Sequence, residues 1–404
     1  MTRPLRTLFP VLALLLLLVG AGLVLGAGTP VAASGVDTGT VQSTDEEQLL
    51  FQPVEIGPNT TRMLELDSVA ESGTGSGSVS VTNALQAESV AVESELDRRA
   101  VEDRLARSPV DSERILSAAV TRTEDRVDAL AARERGARDR FSTGEVGSEA
   151  YLATVGEVNR VARTLESTVD TYEGLADGHT GLEDRLAAAQ TETVRYTGPV
   201  AEEAGTAVAG GGDTETVFVA VSEGGMTLSA IRDETYVRET MRTDARDDEV
   251  GGVDLDAAQS RIAELYPWAW EHKGDVSINT VGQDVFRFQL SHGHGVLNSL
   301  LDTSSGNVYR EVQTKSLSNL PVVAGQSVTV DNTTLQLSRA RAGSPLRIQV
   351  VNETGSPIQA TVTANGRTLE TTGDEPVWLL SPGGTFNVTA ETADTELELE
   401  VTPE

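Results

Sequence analysis

Apolar residues recur at alternating spacings of four and three along residues 151–176, the pattern of a helix that packs lengthwise against another helix. These positions are Tyr151, Val155, Val158, Ala162, Leu165, Val169, Tyr172 and Ala176. The preceding run follows the same grid at Leu116, Val120, Val127, Leu130, Ala137 and Phe141, with Thr123 and Glu134 interrupting it. The glycine-bearing segment 142–148 separates the two runs, so we predict an antiparallel helical hairpin.

Two further helical segments, 83–106 and 181–194, flank this hairpin, and together they predict a helical bundle or coiled coil over residues 82–196. Two interpretations remain open. The helices pack on each other within one chain, as a bundle that spaces the other domains, or they form a coiled coil that dimerises or docks a partner. The second interpretation predicts a homo-oligomer through the helical region.

Strand-like patterns follow in TVFVAVSE and MTLSAI, and residues 233–242 suggest a short helix. A further helix is capped by Asp254 or Asp256 and ends at Pro267. Three more strand-like runs and a Ser-Ser-Gly-Asn turn complete the segment. We therefore predict an α+β domain over residues 215–314.

This domain resembles the PepSY fold, which combines a helix of the form D-x-x-x-A-x-x-x-x-A with strands and an ending like L-D-x-x-S-G-x-V-Y. The matching residues are Asp254, Ala258, Ala263, Leu301, Asp302, Gly306, Val308 and Tyr309. The resemblance implies that the turn from Asp302 to Gly306 joins two strands and that no residue of the motif is catalytic. PepSY modules occur in protease propeptides and envelope proteins, where regulation or inhibition of peptidases is suspected.

The C-terminal region alternates tightly, with turns at intervals of roughly ten residues, and its six short strands predict an all-β sandwich. We place it over residues 320–404, with residues 320–337 adding strands or serving as the joint. The phrase V-x-N-x-x-G-x-P-I-x-A-T-V is similar to carboxypeptidase-regulatory or transthyretin-like domains, which are usually accessory. The residues that carry this similarity are Gly355, Pro357, Ala360 and Val362.

The N-terminus carries an uncharged apolar run over residues 8–28, preceded by Arg3 and Arg6. This length and charge pattern predict a single-pass membrane anchor with residues 34–404 on the extracytoplasmic side. The alternative is a signal peptide over residues 1–33, cleaved after Ala33, which would give a secreted protein. Polar, glycine- and serine-rich composition predicts a disordered linker over 34–81, and a second linker over 197–214.

The chain is strongly acidic: 62 acidic residues face 31 basic ones, for a net charge of -31, and only Lys273 and Lys315 are lysines. Acid spread along the whole chain resembles the proteins of halophilic archaea, in which concentrated salt screens the repulsion. With no basic patch, the sequence argues against a nucleic-acid partner. Four sequons are candidate glycosylation sites on the outer side, at Asn59, Asn332, Asn352 and Asn387.

The histidine pair His292 and His294 is the strongest candidate for chemistry. Residues two apart on a strand share a face, so both rings can reach one ion, but a polar glycine-rich turn explains them better. Trp268 and Trp270 form either a partner-contact platform or a plug over the sheet. There is no cysteine, no nucleophile elbow and no phosphate-binding loop. We therefore assign no catalytic, cofactor or metal-binding residue, and we keep these four side chains as candidate partner contacts.

The multidomain sequence thus predicts a non-enzymatic, outward-facing envelope protein that binds a peptide or protein through its PepSY-like domain. Strand edges of that domain are suited to capturing an extended peptide. The alternatives are a purely structural cell-surface or adhesion protein and a hydrolase that uses His292 or His294.

Overall fold

The computed structural model describes residues 52–211, 216–246, 252–370 and 375–404. The predicted anchor at 8–28 and the cleavage position Ala33 lie outside these ranges. Within them, no helix combines the length and the apolar character that crossing a bilayer requires.

The predicted helical region is a bundle within the chain. Its helices are α1 (Val81–Arg107), α2 (Ser112–Ser142), α3 (Ser148–Leu175), α4 (Thr180–Val194) and α5 (Pro199–Val208). Every position of the two predicted seams is buried, including the polar Thr123 and Glu134. The hairpin of α2 and α3 is confirmed, because the chain turns between Ser142 and Ser148 as the spacing predicts.

The prediction of a linker over 197–214 is wrong for residues 199–208, which form helix α5. Pro199 lies in its first turn, and Val200, Ala204 and Val208 are buried. α5 packs backbone to backbone on α3, because a Cβ atom on Gly156 would lie only 2.6 Å from the carbonyl of Ala204. The small residues that suggested a linker are therefore what allows this close helix contact.

An eight-stranded antiparallel sheet forms the centre of the described chain. Its strands are β1 (Glu71–Ser76), β2 (Thr216–Val221), β3 (Gly225–Arg232), β4 (Thr235–Arg242), β5 (Lys273–Val281), β6 (Val285–His292), β7 (Gly295–Asp302) and β8 (Val308–Ser316). Their order across the sheet is β1-β2-β3-β4-β8-β7-β6-β5, so β1 and β5 are the outer strands. The short helix suggested over 233–242 is instead strand β4, which is buried almost throughout.

The prediction of a disordered linker over 34–81 is wrong for its described part. Strand β1 contains no apolar residue, yet it pairs with β2 along its whole length. Its glycines let it lie against the start of α3, where a Cβ on Gly73 would come within 2.4 Å of the Ser148 hydroxyl. Backbone pairing and close approach, rather than side-chain burial, therefore order β1.

Residues 52–66 are also packed, which corrects the same prediction. Val54 and Met63 form an isolated antiparallel bridge, and Met63 and Leu64 are buried. Glu311 of β8 accepts a hydrogen bond from the Leu64 amide (2.9 Å), and Arg238 of β4 donates to the Leu64 carbonyl (2.7 Å). This segment, which we call the strap (residues 52–66), covers one face of the sheet.

The opposite face of β2, β3 and β4 shares one hydrophobic core with the helices. Val219, Leu228 and Met241 belong to the same cluster as the α2 and α3 seams. The bundle is therefore intramolecular and shares its core with the sheet, and its role in spacing the other domains stays a prediction.

Two short helices, α6 (Leu255–Leu265) and α7 (Pro267–Glu271), cover the strap face of the sheet near β6 and β7. Asp254 caps α6 by accepting from the Ala257 amide (2.9 Å), as the sequence predicts. The turn between β7 and β8 is organised by Asp302, whose carboxylate accepts from the Ser305 amide (2.8 Å) and the Ser304 hydroxyl (2.7 Å). This confirms a structural turn at this motif.

The C-terminal region is a sandwich of two four-stranded sheets, as predicted. Its strands are β9 (Ala324–Val330), β10 (Thr333–Ser338), β11 (Pro345–Asn352), β12 (Thr361–Ala364), β13 (Arg367–Glu370), β14 (Val377–Leu380), β15 (Phe386–Glu391) and β16 (Glu396–Val401). The predicted joint supplies β9 and β10. Phe218 of β2 and Tyr236 of β4 pack with Leu380 of β14, which joins the sandwich to the strap face of the central sheet.

Candidate functional site

Helix α7 places the tryptophans predicted as partner contacts at one end of the sheet. Pro267 begins this single turn directly after Tyr266, and Ala269 faces the core. Trp268 and Trp270 are consequently half-buried at the margin of the α6–α7 core, with part of each ring accessible. Each ring therefore packs partly against the core, as the plug interpretation predicts, and a role in contacting a partner stays a prediction.

Three histidine rings contact the ring of Trp268. Its ring stacks with His272 (4.6 Å between centroids) and with His294 (4.5 Å), and it meets His292 edge-on at 5.4 Å. His272 is fixed because its Nδ1 donates to the Trp268 carbonyl (2.9 Å). The sequence-predicted Trp268, His292 and His294 therefore form one cluster, which we call the Trp268 cluster, with His272 as its fourth member.

His292 uses both ring nitrogens for structure. Nδ1 accepts from the His294 amide (3.2 Å), so the neutral ring carries its proton on Nε2, which donates to the Thr61 hydroxyl (3.1 Å). Burial, followed by the charge of Lys315 and by His294, lowers the pKa of His292 to about 4. At neutral pH this side chain is a neutral anchor for the strap, and neither nitrogen is free to bind a metal ion or take up a proton.

His294 is the more accessible partner in the pair. Burial lowers its pKa, helped by the charges of Lys315 and His272. Its Nδ1 atom has no hydrogen-bond partner in the described part of the chain. Over the same residues, no three His, Asp or Glu side chains are grouped as a metal site would require. The observed contacts of this cluster are ring stacking and edge contacts with Trp268.

Strand β5 begins beside this cluster and forms the outer edge of the sheet. Lys273 holds the junction, because its ammonium donates to the Trp270 carbonyl (2.9 Å) and lies 4.3 Å from the centre of the Trp270 ring. A register irregularity separates Lys273 from Val276, and regular pairing with β6 then continues to Val281. Most residues of β5 are exposed, and its outward side pairs with no described strand.

The two faces of this edge differ in chemistry. Ile278 lies opposite Phe288, on the apolar side that is covered by α6 and α7. Asn279 lies opposite Arg287, on the side of the helical bundle. The guanidinium of Arg287 is exposed and makes no hydrogen bond or salt bridge with the residues that the structure describes, although its charge attracts the carboxyl of Glu166. An added strand would therefore meet apolar groups on one face and the positive charge of Arg287 on the other.

Two residues near this site were missed at the sequence level. Thr61 is a buried residue of the strap and anchors His292. Lys315 is buried on β8 and raises the local positive potential. The rarity of lysine was the available signal for Lys315, whereas Thr61 stood out only as the last residue of the Asn59 sequon. Three of the sequon asparagines, Asn59, Asn332 and Asn387, are exposed, while Asn352 is half-buried; their glycosylation stays a prediction.

Family profiles cover most of the chain in three successive parts. A profile described as a domain of unknown function (DUF7096) matches residues 5–214, just over half of the chain. The chain belongs to this family. A family of unknown function (DUF7094) matches residues 217–321, and an archaeal fibronectin-III type-like domain matches residues 324–399.

The first match spans the predicted anchor, linker and helical region together, and the next two begin at residues 217 and 324. The last one supports the Ig-like sandwich and fits an archaeal origin. The region expected to resemble PepSY is the one that matches the DUF7094 family, and its resemblance to PepSY stays a prediction. Neither the curated proteins nor the solved structures contain a match to this chain.

Proposed function

We propose that this DUF7096 protein is a non-enzymatic binding protein that captures an extended segment of a partner protein along strand β5. The observation that carries the proposal is the open outer side of β5, whose residues are exposed from Lys273 to Ser277 and again at Asn279 and Thr280. Exposed strand edges offer a row of unpaired amide and carbonyl groups, which is the basis of recognition by strand addition.

The side chains around the edge define the partner chemistry. On the α7 side, Val276, Ile278 and Trp270 offer apolar contacts to every second residue of the added strand. On the bundle side, Arg287 offers a cation, so the alternate residues are expected to be polar with one acidic side chain. The Trp268 cluster closes one end of the edge with a broad aromatic surface. Alternating apolar and acidic residues are the expected motif.

The setting of this activity is inferred from the sequence. An apolar run at 8–28 supports a membrane anchor, and the acidic composition supports a salt-adapted archaeal cell envelope. The resemblance of residues 254–309 to PepSY modules supports a peptidase, or a peptidase-cleaved protein, as the partner. The archaeal fibronectin-III type-like domain is consistent with a surface location.

The test compares two matched edge variants. The tagged full chain, produced in a halophilic archaeal host, is used to capture partners from envelopes in multimolar potassium chloride. Val276→Lys puts a charge on β5, while Val330→Lys makes the same change on β9, the outer strand of a sandwich sheet. The two valines are similarly exposed (36% and 39%). A partner lost with Val276→Lys and kept with Val330→Lys supports the proposal, and equal capture by both variants contradicts it.

A second candidate is a purely structural surface protein. It is favoured by the continuous packing from the bundle to the sheet and from the sheet to the sandwich. Leu317, which lies between β8 and β9, is itself part of this packing. An empty capture with wild type and both variants would favour this second function.

A further inference from the structure

A cavity of about 100 Å³ lies where the strap, the central sheet and the sandwich meet. Its lining is mainly apolar, with Met63 from the strap, Pro321 and Val323 from the joint and Trp378 from β14. Val322 belongs to the lining and is 55% exposed, so the cavity reaches the protein surface. It is separate from the edge of β5 and plays no part in the proposed strand capture.

Lys315 is the polar exception in this lining. The side chain is only 2% exposed, and its ammonium makes no hydrogen bond or ion pair with any residue that the structure describes. An ammonium held in a mainly apolar cavity without a hydrogen-bond partner is costly, because water solvates the charge less well there than at the open surface. Burial accordingly lowers the pKa of Lys315 to about 8, although Glu311 acts in the opposite direction.

No neighbouring carboxylate forms an ion pair with this ammonium among the described residues, although Glu311 attracts it. Glu311 already accepts from the Leu64 amide (2.9 Å), the Tyr266 hydroxyl (2.7 Å) and Gln313 (2.9 Å), and it lies 3.7 Å from Arg238. At the rim, Arg339 and Arg341 pair with Glu404 and Glu65.

Tyr236 lies opposite Lys315 in the sheet register, but its hydroxyl donates to the Gly343 carbonyl (2.9 Å). His292 adds no negative charge. An anion in the cavity is thus the complement that the described side chains leave open.

We propose that this cavity binds a small carboxylate with a short apolar body, whose charge pairs with the ammonium of Lys315. A cavity of about 150 Å³ accommodates benzene, so about 100 Å³ suits a molecule of the size of propionate. The same chemistry is presented by a free short-chain acid and by the C-terminal carboxylate of a peptide that ends in a small apolar residue. The apolar lining receives the alkyl group in either case.

Because the chain has only two lysines, the ammonium of Lys315 can be followed directly by NMR. The full chain is labelled with ¹³C-lysine, so that Lys315 and Lys273 give the only lysine NMR signals, and the Lys273→Arg variant assigns them. Propionate replaces chloride stepwise at constant ionic strength. We expect a saturable shift of the Lys315 signal with no shift of Lys273. We also expect a higher apparent pKa of Lys315 in the bound state and at least tenfold weaker binding at pH 10 than at pH 7.

The controls test whether binding depends on the ammonium of Lys315 and on the negative charge of the ligand. Lys315→Met keeps the length of the side chain and should reduce the affinity at least tenfold, whereas Lys273→Met should leave it unchanged. Propionamide, which has the same shape without the charge, should not bind.

A response to a short peptide acid but not to propionate or to the peptide amide would assign the C-terminal source. No saturable shift with either acid, or equal binding of propionamide, overturns the proposal. Since the wild-type titration already gives this answer, the outcome does not depend on the folding of a variant.

Discussion

The contact between α3 and α5 makes a sharp prediction for the Gly156→Ala variant. A Cβ atom at this position would lie 2.6 Å from the carbonyl carbon and oxygen of Ala204 and from the amide nitrogen of Gly205. All three atoms belong to the backbone, so no rotamer change can relieve the clash. Restoring an ordinary contact of 3.4 Å requires α5 to move away by about 0.8 Å.

The loss of stability follows from the packing between α3 and α5 that this movement disturbs. Overpacking a well-packed core costs typically about 1–3 kcal/mol. Replacing a glycine in a helix by alanine gains about 0.5–1 kcal/mol through chain entropy, which offsets part of it. We therefore expect Gly156→Ala to lower the free energy of unfolding by about 1–2 kcal/mol, with Val200, Ala204 and Val208 losing close contact with α3.

The measurement is denaturant unfolding of the full chain at fixed high salt, followed by circular dichroism. Gly174→Ala in the same helix is the matched control, because a Cβ there meets nothing within 4 Å. This control should be neutral or stabilising by up to about 1 kcal/mol. If Gly156→Ala were as stable as Gly174→Ala, the close packing of α5 on α3 would be refuted.

Three further predictions concern buried ionisable groups. Glu311→Ala should lower the free energy of unfolding by about 3–5 kcal/mol, because it leaves the buried Arg238 without its carboxylate. It should also open the strap (residues 52–66) to limited proteolysis. Glu404→Ala, which removes an exposed ion pair with Arg339, should lower the free energy of unfolding by less than about 1 kcal/mol. The imidazole of His292 should titrate by NMR near pH 4. Its folded pKa is lowered, so the unfolded chain takes up the proton first and thermal stability should fall as the pH drops from about 6.5 towards about 4. For Lys315, whose pKa falls from 10.5 to about 8, the unfolded chain holds the proton longer, so unfolding experiments should show stability rising between these two pH values by about 3 kcal/mol relative to Lys315→Met.

The helical hairpin and the sandwich could be predicted because their patterns are local. The 4-3 spacing around Val155 and Val127 records the buried face directly, and turns such as Asn365-Gly366 mark the strand ends. Strand β4 was misassigned because polar side chains such as Arg238 and Thr240 are buried on one of its faces. The partners of Arg238, Leu64 and Glu311, lie far away in the sequence, so the local pattern of β4 does not show that this polar face is buried.

The ordered parts that the sequence missed depend on distant contacts. Strand β1 gains its order from pairing with β2, about 145 residues later, and α5 gains its order from the glycine contact with α3. For the site, the unusual residues Trp268 and His294 were found by composition. Their stacking could not be predicted, because it depends on how α7 lies over the hairpin of β6 and β7.

Amide hydrogen exchange tests the central claim, capture along β5, most directly. Exchange is measured on the full chain alone and bound to the partner captured from the envelope, in the same salt. The account predicts slower exchange of the amides of Val276–Val281 in the complex, with no change over the outer sandwich strand Ala324–Val330. Unchanged exchange along β5 in a complex that protects another part of the chain would contradict it.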